Sequence, residues 1–355
     1  MPLTGPVLVV GAGLLGTSIG LALREHGVDV VLQDTSEENL RIAAGVGAGR
    51  PGGLADRPQL VVVAVPPDHL ATEIAAALRG SQAVVTDVGS VKSAPLEAVR
   101  LEVGAEELTR YVGSHPMAGS ERSGPFAASA SLFDGRPWAL TPHATSGPEA
   151  VALVAEVVAL CGATAVTFTP VEHDRAVART SHLPHLVAAL VAGRLADAPR
   201  EHLALSGQGV RDVTRIAAGD PGLWQQIVTA NRGALAALLR EVRDDLDVLV
   251  TAVEQGSRAP IAGLLDRGVA GTVAIPGKHG GPARPETPLY VAVPDHPGEL
   301  ARLLSEAGEI GVNIEDLRID HDPSRPVGVV ELTVAEDRVD FLKESLEARG
   351  WTAHR

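Results

Sequence analysis

The chain has 355 residues, more than one hydrophobic core usually supports, so two or three domains are expected. Its formal net charge of -14 argues against nucleic acid or an anionic membrane as partner, because clustered Lys and Arg bind phosphates. The single cysteine, Cys161, excludes an intramolecular disulfide and a cysteine-based metal cluster and fits a reducing cytoplasm. Apolar runs are strand-sized or interrupted by charge, so we expect neither a signal peptide nor a membrane span.

The amino-terminal segment predicts a dinucleotide-binding turn. An apolar strand at residues 7–10 is followed by a glycine turn and the start of a helix, and this turn contains Gly11, Gly13, Leu14, Leu15 and Gly16. In a chain with 38 glycines such a turn can also be an ordinary loop. A second apolar strand, however, ends at Asp34, whose carboxylate can accept hydrogen bonds from both ribose hydroxyls and repels a 2′-phosphate. The predicted cofactor is NAD rather than NADP.

Further apolar runs at residues 60–65 and 83–88 alternate with helical patterns. This alternation predicts a Rossmann-type doubly wound parallel sheet, an α/β domain spanning residues 1–170. Ligands of such sheets lie outside the carboxyl ends of the strands, where Pro66, Ser90 and His115 all fall.

The remainder of the chain changes character twice. Residues 171–270 predict an all-helical domain for substrate binding or dimerisation, with one long helix over 223–253 whose apolar stripe fits either a second copy or intramolecular packing. Prolines and glycines at 271–286 predict a linker. Residues 287–355 predict a small α+β domain of βαββα pattern.

His115 is the main candidate catalytic residue, because a titratable base near a nicotinamide ring is what hydride transfer from an alcohol carbon requires. We expect it in a loop braced by Pro and Gly. Ser90 either holds a ring nitrogen of His115 or caps a helix, and Lys92 places an ammonium at the same strand end.

Two further groups lie in the helical segment. Ser181 and His185 are four residues apart and share a face of a predicted helix, but no His-Glu pair accompanies them, so no metal is expected. Arg215 precedes the aromatic Trp224, and its guanidinium suits a substrate carboxylate as well as a surface ion pair.

Five motifs together resemble the prephenate/arogenate dehydrogenases of tyrosine biosynthesis. They are the glycine turn, GSVK at 89–92, SHPMAGSE at 114–121, SHLPH at 181–185 and DxTRIA…DPxxW at 212–224. The resemblance implies NAD-dependent oxidative decarboxylation of prephenate, or of arogenate, with His115 as the base and Ser90 orienting it. It also implies substrate contacts from Arg215 to the ring carboxylate, from Ser181 and His185 to the side-chain end, and from Trp224 as a pocket wall.

Two other function classes share parts of this pattern. A β-hydroxyacid or imine oxidoreductase commonly uses a lysine of its helical domain, and residues 171–256 contain none. An NAD-sensing regulator would not need His115, Ser90 and Arg215 together.

The tail resembles an ACT domain, a ligand-sensing module of amino-acid metabolism. This implies tyrosine as a possible effector at Gly298, Asn313 and Ile314, whose two loops we expect at one edge of the sheet; the alternative is that the domain only pairs with its copy.

Overall fold

The structure is a computed structural model that describes residues 2–118, 124–275, 285–321 and 327–355. It divides into two compact units, Met1–Glu254 and Gln255–Arg355. The boundary predicted near residue 170 lies inside the first unit and the one near residue 270 inside the second, so the three-domain division stays a prediction.

An eight-stranded sheet forms the centre of the first unit. Its strands in chain order are β1 (Val7–Val10), β2 (Val30–Gln33), β3 (Arg50–Pro51), β4 (Leu60–Val63), β5 (Val84–Asp87), β6 (Tyr111–Pro116), β7 (Pro137–Thr141) and β8 (Thr164–Thr167). They are arranged in the order β3-β2-β1-β4-β5-β6-β7-β8, and all pairs from β3 to β6 are parallel. The predicted Rossmann-type sheet is confirmed in this part.

The sheet is nevertheless mixed, because β7 runs antiparallel to β6 and β8 runs parallel to β7. The prediction of a parallel sheet is wrong at this step. A parallel connection needs a crossover, usually a helix, and the described residues between β6 and β7 form only two short 3-10 turns, Pro125–Ala127 and Ala130–Phe133.

Helices cover both faces of the sheet, which explains why its central strands β1 and β4 are apolar at every position. These helices are α1 (Leu14–Glu25), α2 (Glu37–Gly45), α3 (Pro67–Gly80), α4 (Ser93–Arg100), α5 (Ala105–Leu108) and α6 (Pro148–Leu160). Val7 and Val9 of β1 belong to the core that contains α1 and α6, whereas Leu8 and Val10 belong to the core that contains α3.

The helical part of the first unit contains α7 (Pro170–Val177), α8 (Leu183–Gly193), α9 (Arg200–Leu203), α10 (Gln208–Arg215), α11 (Pro221–Ala230) and α12 (Arg232–Glu254), with a π-helical turn at Ala178–His182. The single helix predicted over 223–253 is wrong, because Asn231 leaves helical geometry (φ -102, ψ 24) between α11 and α12. Its amide group instead bonds to the carbonyl of Asp174 and to His182. Among the described helices, none combines the length and hydropathy needed to cross a membrane.

The second unit contains α13 (Arg258–Val273), β9 (Glu286–Pro294), α14 (Glu299–Ile310), β10 (Asp316–His321), β11 (Val327–Ala335), α15 (Glu336–Ala348) and β12 (Thr352–His354). The sheet has the order β10-β11-β9-β12 with antiparallel neighbours, so the tail is βαββαβ rather than βαββα. The last strand was missed because it has only three residues. Most of the predicted linker, residues 276–284, lies outside the described residues.

The two predicted effector loops lie at opposite ends of this sheet. Pro294, which precedes the Gly298 turn, pairs with Val327, whereas Asp316, which follows the Asn313 turn, pairs with Thr333 and is level with Pro288. Six strand residues correspond to about 20 Å. The expectation of a shared edge is wrong, since a helix that joins two parallel strands leaves the first at one edge and enters the second at the other.

Candidate active site

The glycine turn after β1 fits a dinucleotide on steric grounds. Gly11 has φ +103, and a Cβ there would lie 2.4 Å from the carbonyl oxygen of Ala64; a Cβ on Gly16 would lie 1.9 Å from the oxygen of Gly11. A Cβ on Gly13, in contrast, would meet nothing within 4 Å. The space above the turn is therefore open, and Leu14 and Leu15 begin α1 with amide groups available to a pyrophosphate.

Asp34 adjoins this turn at the end of β2. Its Oδ2 accepts a hydrogen bond from the amide of Ala12 at 2.6 Å, and its Oδ1 accepts one from the amide of Ser36 at 2.7 Å. Each carboxylate oxygen keeps a lone pair for a ribose hydroxyl. The sequence predicted that Asp34 binds the ribose hydroxyls. It did not predict that Asp34 also holds the amide of Ala12, which makes Asp34 part of the turn itself. Pro66 follows β4 at the same edge of the sheet and is exposed.

His115 lies within β6, near its carboxyl end, and not in a loop as expected. Its Nδ1 is 3.0 Å from Nε2 of His173, and Nδ1 of His173 is 2.9 Å from Oδ1 of Asp174. The carboxylate of Asp174 also accepts the amides of Lys92 and Ser93, each at 2.8 Å. We call Asp174, His173 and His115 the histidine chain.

The histidine chain supplies the ring contact that was predicted for Ser90. Ser90 is half-buried after β5, and within the described residues no hydrogen bond joins it to His115. Its predicted role remains a prediction. His173 and Asp174 were missed because an acidic helix start, PVEHDRAV, is typical of a solvated surface. The structure buries this helix on the side that its sequence does not suggest: the apolar Val171 is 52% exposed, whereas the polar His173 is 1% exposed.

Burial determines the protonation of the histidine chain. It lowers the pKa of His115 well below the usual histidine value, and the coulombic interactions with His173 and Lys92 act in the same direction. Burial likewise lowers the pKa of His173, although its bond to Asp174 opposes this. For Asp174, burial raises the pKa, but hydrogen bonds from His173, Ser93 and Lys92 outweigh it and lower the pKa overall. Near neutral pH both rings are neutral and the carboxylate is charged.

Lys92 is buried, and its ammonium group contacts the end of β5 and the chain of β6. The side chain is 1% exposed, and its Nζ donates to the buried carboxylate of Asp87 and, at 2.7 Å, to the carbonyl of Ser114. The hydroxyl of Tyr111 donates to the same carboxylate at 2.8 Å. The ammonium predicted at the strand end therefore anchors β6 next to His115.

A second aromatic group lies in the helical part. The rings of His185 (α8) and Trp224 (α11) stack with centroids 3.5 Å apart and an interplanar angle of 11°. His182 meets the same indole edge-on at 6.1 Å. Gly219 makes the stack possible, since a Cβ there would lie 2.5 Å from Nε1 of Trp224.

Ser181 is exposed and does not share the inward face of His185, because the π-helical turn at Ala178–His182 brings His182 inward instead. Burial lowers the pKa of His182 to about 4. Arg215 is exposed at the end of α10, four residues before Gly219. The described residues hold no group of three or more His, Cys, Asp or Glu side chains that could bind a metal ion. Residues 119–121 of the SHPMAGSE motif lie outside the described residues.

Two solved structures share this architecture. The crystal structure of prephenate dehydrogenase from A. aeolicus, in complex with hydroxyphenyl propionate and NAD+, is 26% identical with a TM-score of 0.69, covering 77% of this chain and 99% of that one. Synechocystis arogenate dehydrogenase is 28% identical with a TM-score of 0.64, covering 75% of this chain and 98% of that one.

Sequence comparison extends the likeness over the tail. The probable prephenate dehydrogenase NovF of Streptomyces niveus is 37% identical over 363 residues, covering 98% of this chain and 99% of the relative. Residues 19–167 match the family model of the prephenate dehydrogenase nucleotide-binding domain, and residues 169–266 match that of the prephenate dehydrogenase dimerization domain. The resemblance predicted from five motifs is confirmed: the chain belongs to the prephenate dehydrogenase family.

Proposed function

We propose that this protein is an NAD-dependent prephenate dehydrogenase that converts prephenate to 4-hydroxyphenylpyruvate. The observation that carries the proposal is the place of His115. Its neutral imidazole lies at the same carboxyl edge of the parallel strands as the glycine turn and Asp34. A base and a nicotinamide ring therefore meet at one edge, as hydride transfer from an alcohol carbon requires.

The chemistry needs little from the protein beyond orientation and one proton acceptor. When bound, NAD accepts the hydride from the ring carbon that bears the hydroxyl group. The hydroxyl proton moves to Nε2 of His115, and the electron pair of the breaking carbon–carboxylate bond enters the ring as carbon dioxide leaves. The product oxygen takes the proton back as a phenol. Aromatisation drives the reaction, so positioning and general-base catalysis suffice.

The remaining substrate contacts are assigned mainly to residues of the helical part. Arg215 offers a guanidinium for the ring carboxylate, while His185 and Trp224 form a flat wall for the dienol ring. Ser181 and Ser90 offer hydroxyl groups to the substrate or to His115. Because the ring carboxylate departs during the reaction, we expect Arg215 to act mainly in binding.

The proposal is tested by following NADH absorbance with purified protein, prephenate and NAD. His115→Asn should lower turnover by about 10²–10⁴-fold with unchanged NAD affinity, because an amide fills the space but does not accept the proton. The acid limb of turnover should lie below the value of a free histidine, about 6.5, since burial lowers the pKa of His115. Near-normal turnover of His115→Asn would remove the proposed base, and faster turnover of arogenate than of prephenate would reassign the substrate.

The helical part supports a homodimer. The outer half of α12 exposes an apolar stripe at helical spacing, with Val242 37%, Leu246 54%, Val250 49% and Val253 63% exposed. The matching family model is that of a dimerization domain. Light scattering should give the dimer mass for wild type and a smaller mass for Leu246→Glu. Leu101→Glu, at a site that is 90% exposed outside this stripe, should leave the mass unchanged. A monomer mass for the wild type would contradict the proposed homodimer.

The tail is proposed to be an ACT-like sensor with tyrosine as effector. The order βαββαβ of its elements supports this proposal. Gly298, which is left-handed (φ +95), supports it as well, because a Cβ there would meet nothing within 4 Å and the turn is therefore open to a ligand. Asn313 donates to Glu315 at 2.7 Å, and Ile314 packs against the core of the unit. Because the two loops lie at opposite ends of one copy, a ligand that touches both requires two copies. Calorimetry of tyrosine with the full chain tests this, and absence of binding would reject it. Cytoplasmic location stays a prediction from the sequence.

A further inference from the structure

The buried end of His115 determines which of its nitrogens can act. We propose that His173 and Asp174 are positioning residues which fix the tautomer of His115, with the proton on Nδ1 and the lone pair on Nε2. The inference rests on the proposed function, in which Nε2 receives the hydroxyl proton.

The direction of each hydrogen bond follows from Asp174. Its two carboxylate oxygens already accept the amides of Lys92 and Ser93 at 2.8 Å, so the group is a charged acceptor and carries no proton. Nδ1 of His173, 2.9 Å away, must therefore be the donor. A neutral imidazole has one proton, so Nε2 of His173 carries a lone pair and accepts the proton on Nδ1 of His115 at 3.0 Å.

The Asp174 end of the histidine chain is held by several hydrogen bonds. Its carboxylate accepts the backbone amides of Lys92 and Ser93 at the start of α4, and its carbonyl accepts the side-chain amide of Asn231 at 2.8 Å. His173 is 1% and Asp174 6% exposed, so water does not compete for these bonds. A rigid partner with a single acceptor nitrogen leaves His115 one favourable tautomer.

The same arrangement favours the reaction step. When Nε2 of His115 takes the hydroxyl proton, the ring becomes an imidazolium whose Nδ1–H still donates to His173. The negative charge of Asp174, transmitted by the polarised ring of His173, stabilises this cation against the opposing charge of Lys92. No second proton transfer is needed, and the proton returns to the product oxygen.

His173→Phe tests the inference, because phenylalanine fills the space of the imidazole without accepting a hydrogen bond. We expect kcat to fall by about 10²-fold, with little change in KM for prephenate or NAD, since His173 is 1% exposed and has almost no surface for either. His173→Gln, whose amide oxygen can accept from Nδ1 of His115, should recover part of the loss. His143→Phe is a matched control: His143 is a buried histidine of the same unit whose ring contacts Thr145 and not the histidine chain, and its kcat should stay at the wild-type value.

A double-mutant cycle separates positioning from general damage. In the His115→Asn background, His173→Phe should cause no further loss, because the tautomer it fixes no longer exists. An equal loss in both backgrounds would overturn the inference, as would wild-type kcat in His173→Phe.

Nitrogen-15 NMR of the wild-type protein gives a readout that is independent of turnover. The ring of His115, assigned by its disappearance in His115→Asn, should show a protonated Nδ1 and an unprotonated Nε2. A proton on Nε2 would refute the inference even if the enzyme is active. If the wild type shows the expected tautomer but does not turn over prephenate, the proposed function is refuted and the inference about the tautomer is not.

Discussion

Replacing Lys92 with methionine should destabilise the first unit strongly while keeping the volume of the side chain. Lys92 is 1% and Asp87 is 0% exposed, so neither charge has access to water. After the replacement, the hydroxyl of Tyr111 and the amide of Gly89 are the hydrogen-bond partners left to the carboxylate of Asp87 among the described residues. The carbonyl of Ser114 loses its bond as well. Breaking a buried pair by removing one partner costs about 3–5 kcal/mol.

That cost can be measured as a thermal shift. For a unit of this size, 1 kcal/mol changes Tm by roughly 2–4 °C, so Lys92→Met should lower Tm by about 6–20 °C in calorimetry. Lys343→Met is the control, because Lys343 forms an exposed pair with Glu347 and such pairs contribute about 0–1 kcal/mol. Adding Asp87→Asn to Lys92→Met should recover part of the loss, since the double replacement leaves neither charge of this pair. A Tm within about 2 °C of wild type for Lys92→Met would show that the ion pair does not stabilise the fold.

Three further predictions concern the cofactor, the aromatic stack and acid stability. Asp34→Ser should narrow the preference for NAD over NADP in steady-state assays by weakening NAD, and an unchanged ratio would count against Asp34 as the selecting residue. Gly219→Ala should raise KM for prephenate more than it lowers kcat, because the added Cβ would lie 2.5 Å from Trp224, and an unaltered KM would separate the stack from the substrate. The free energy of unfolding should fall as the pH drops from about 6.5 through the pKa of His182, about 4, because the buried histidines have lower pKa values in the folded than in the unfolded protein. Urea titrations that give the same free energy of unfolding across this pH range would contradict the prediction.

The Rossmann-type sheet was predictable because burial on both faces leaves a local mark. Strands such as Val7–Val10 and Leu60–Val63 contain only apolar residues, and the helices between them have the expected period. The direction of β7 was not predictable, because a strand that runs backwards has the same local pattern as one that runs forwards.

The sequence predicts site residues that stand in a recognisable motif, but not contacts between residues that only the fold brings together. The glycine turn, Asp34 and His115 follow from motif and spacing. The contact between His115 and His173 joins residues 58 positions apart, and its acceptor ring lies on a helix that buries His173 and Asp174 while its other charged residues are exposed. The break at Asn231 was missed for a related reason, since only the folded chain shows that its amide is needed by Asp174 and His182.

The π-helical turn at Ala178–His182 sets how many residues this segment can lose. A π-helical turn holds one residue more than an α-helical turn, so deleting one residue would let α7 continue smoothly into α8. Because the wide turn already absorbs that residue, the orientation of α8 relative to α7 would be kept, whereas deleting a second residue would rotate α8 by about 100°. After the second deletion, His173 and His185 could no longer both keep their present partners, His115 and Trp224. The stretch between the two histidines should therefore accept the loss of one residue far more readily than the loss of two.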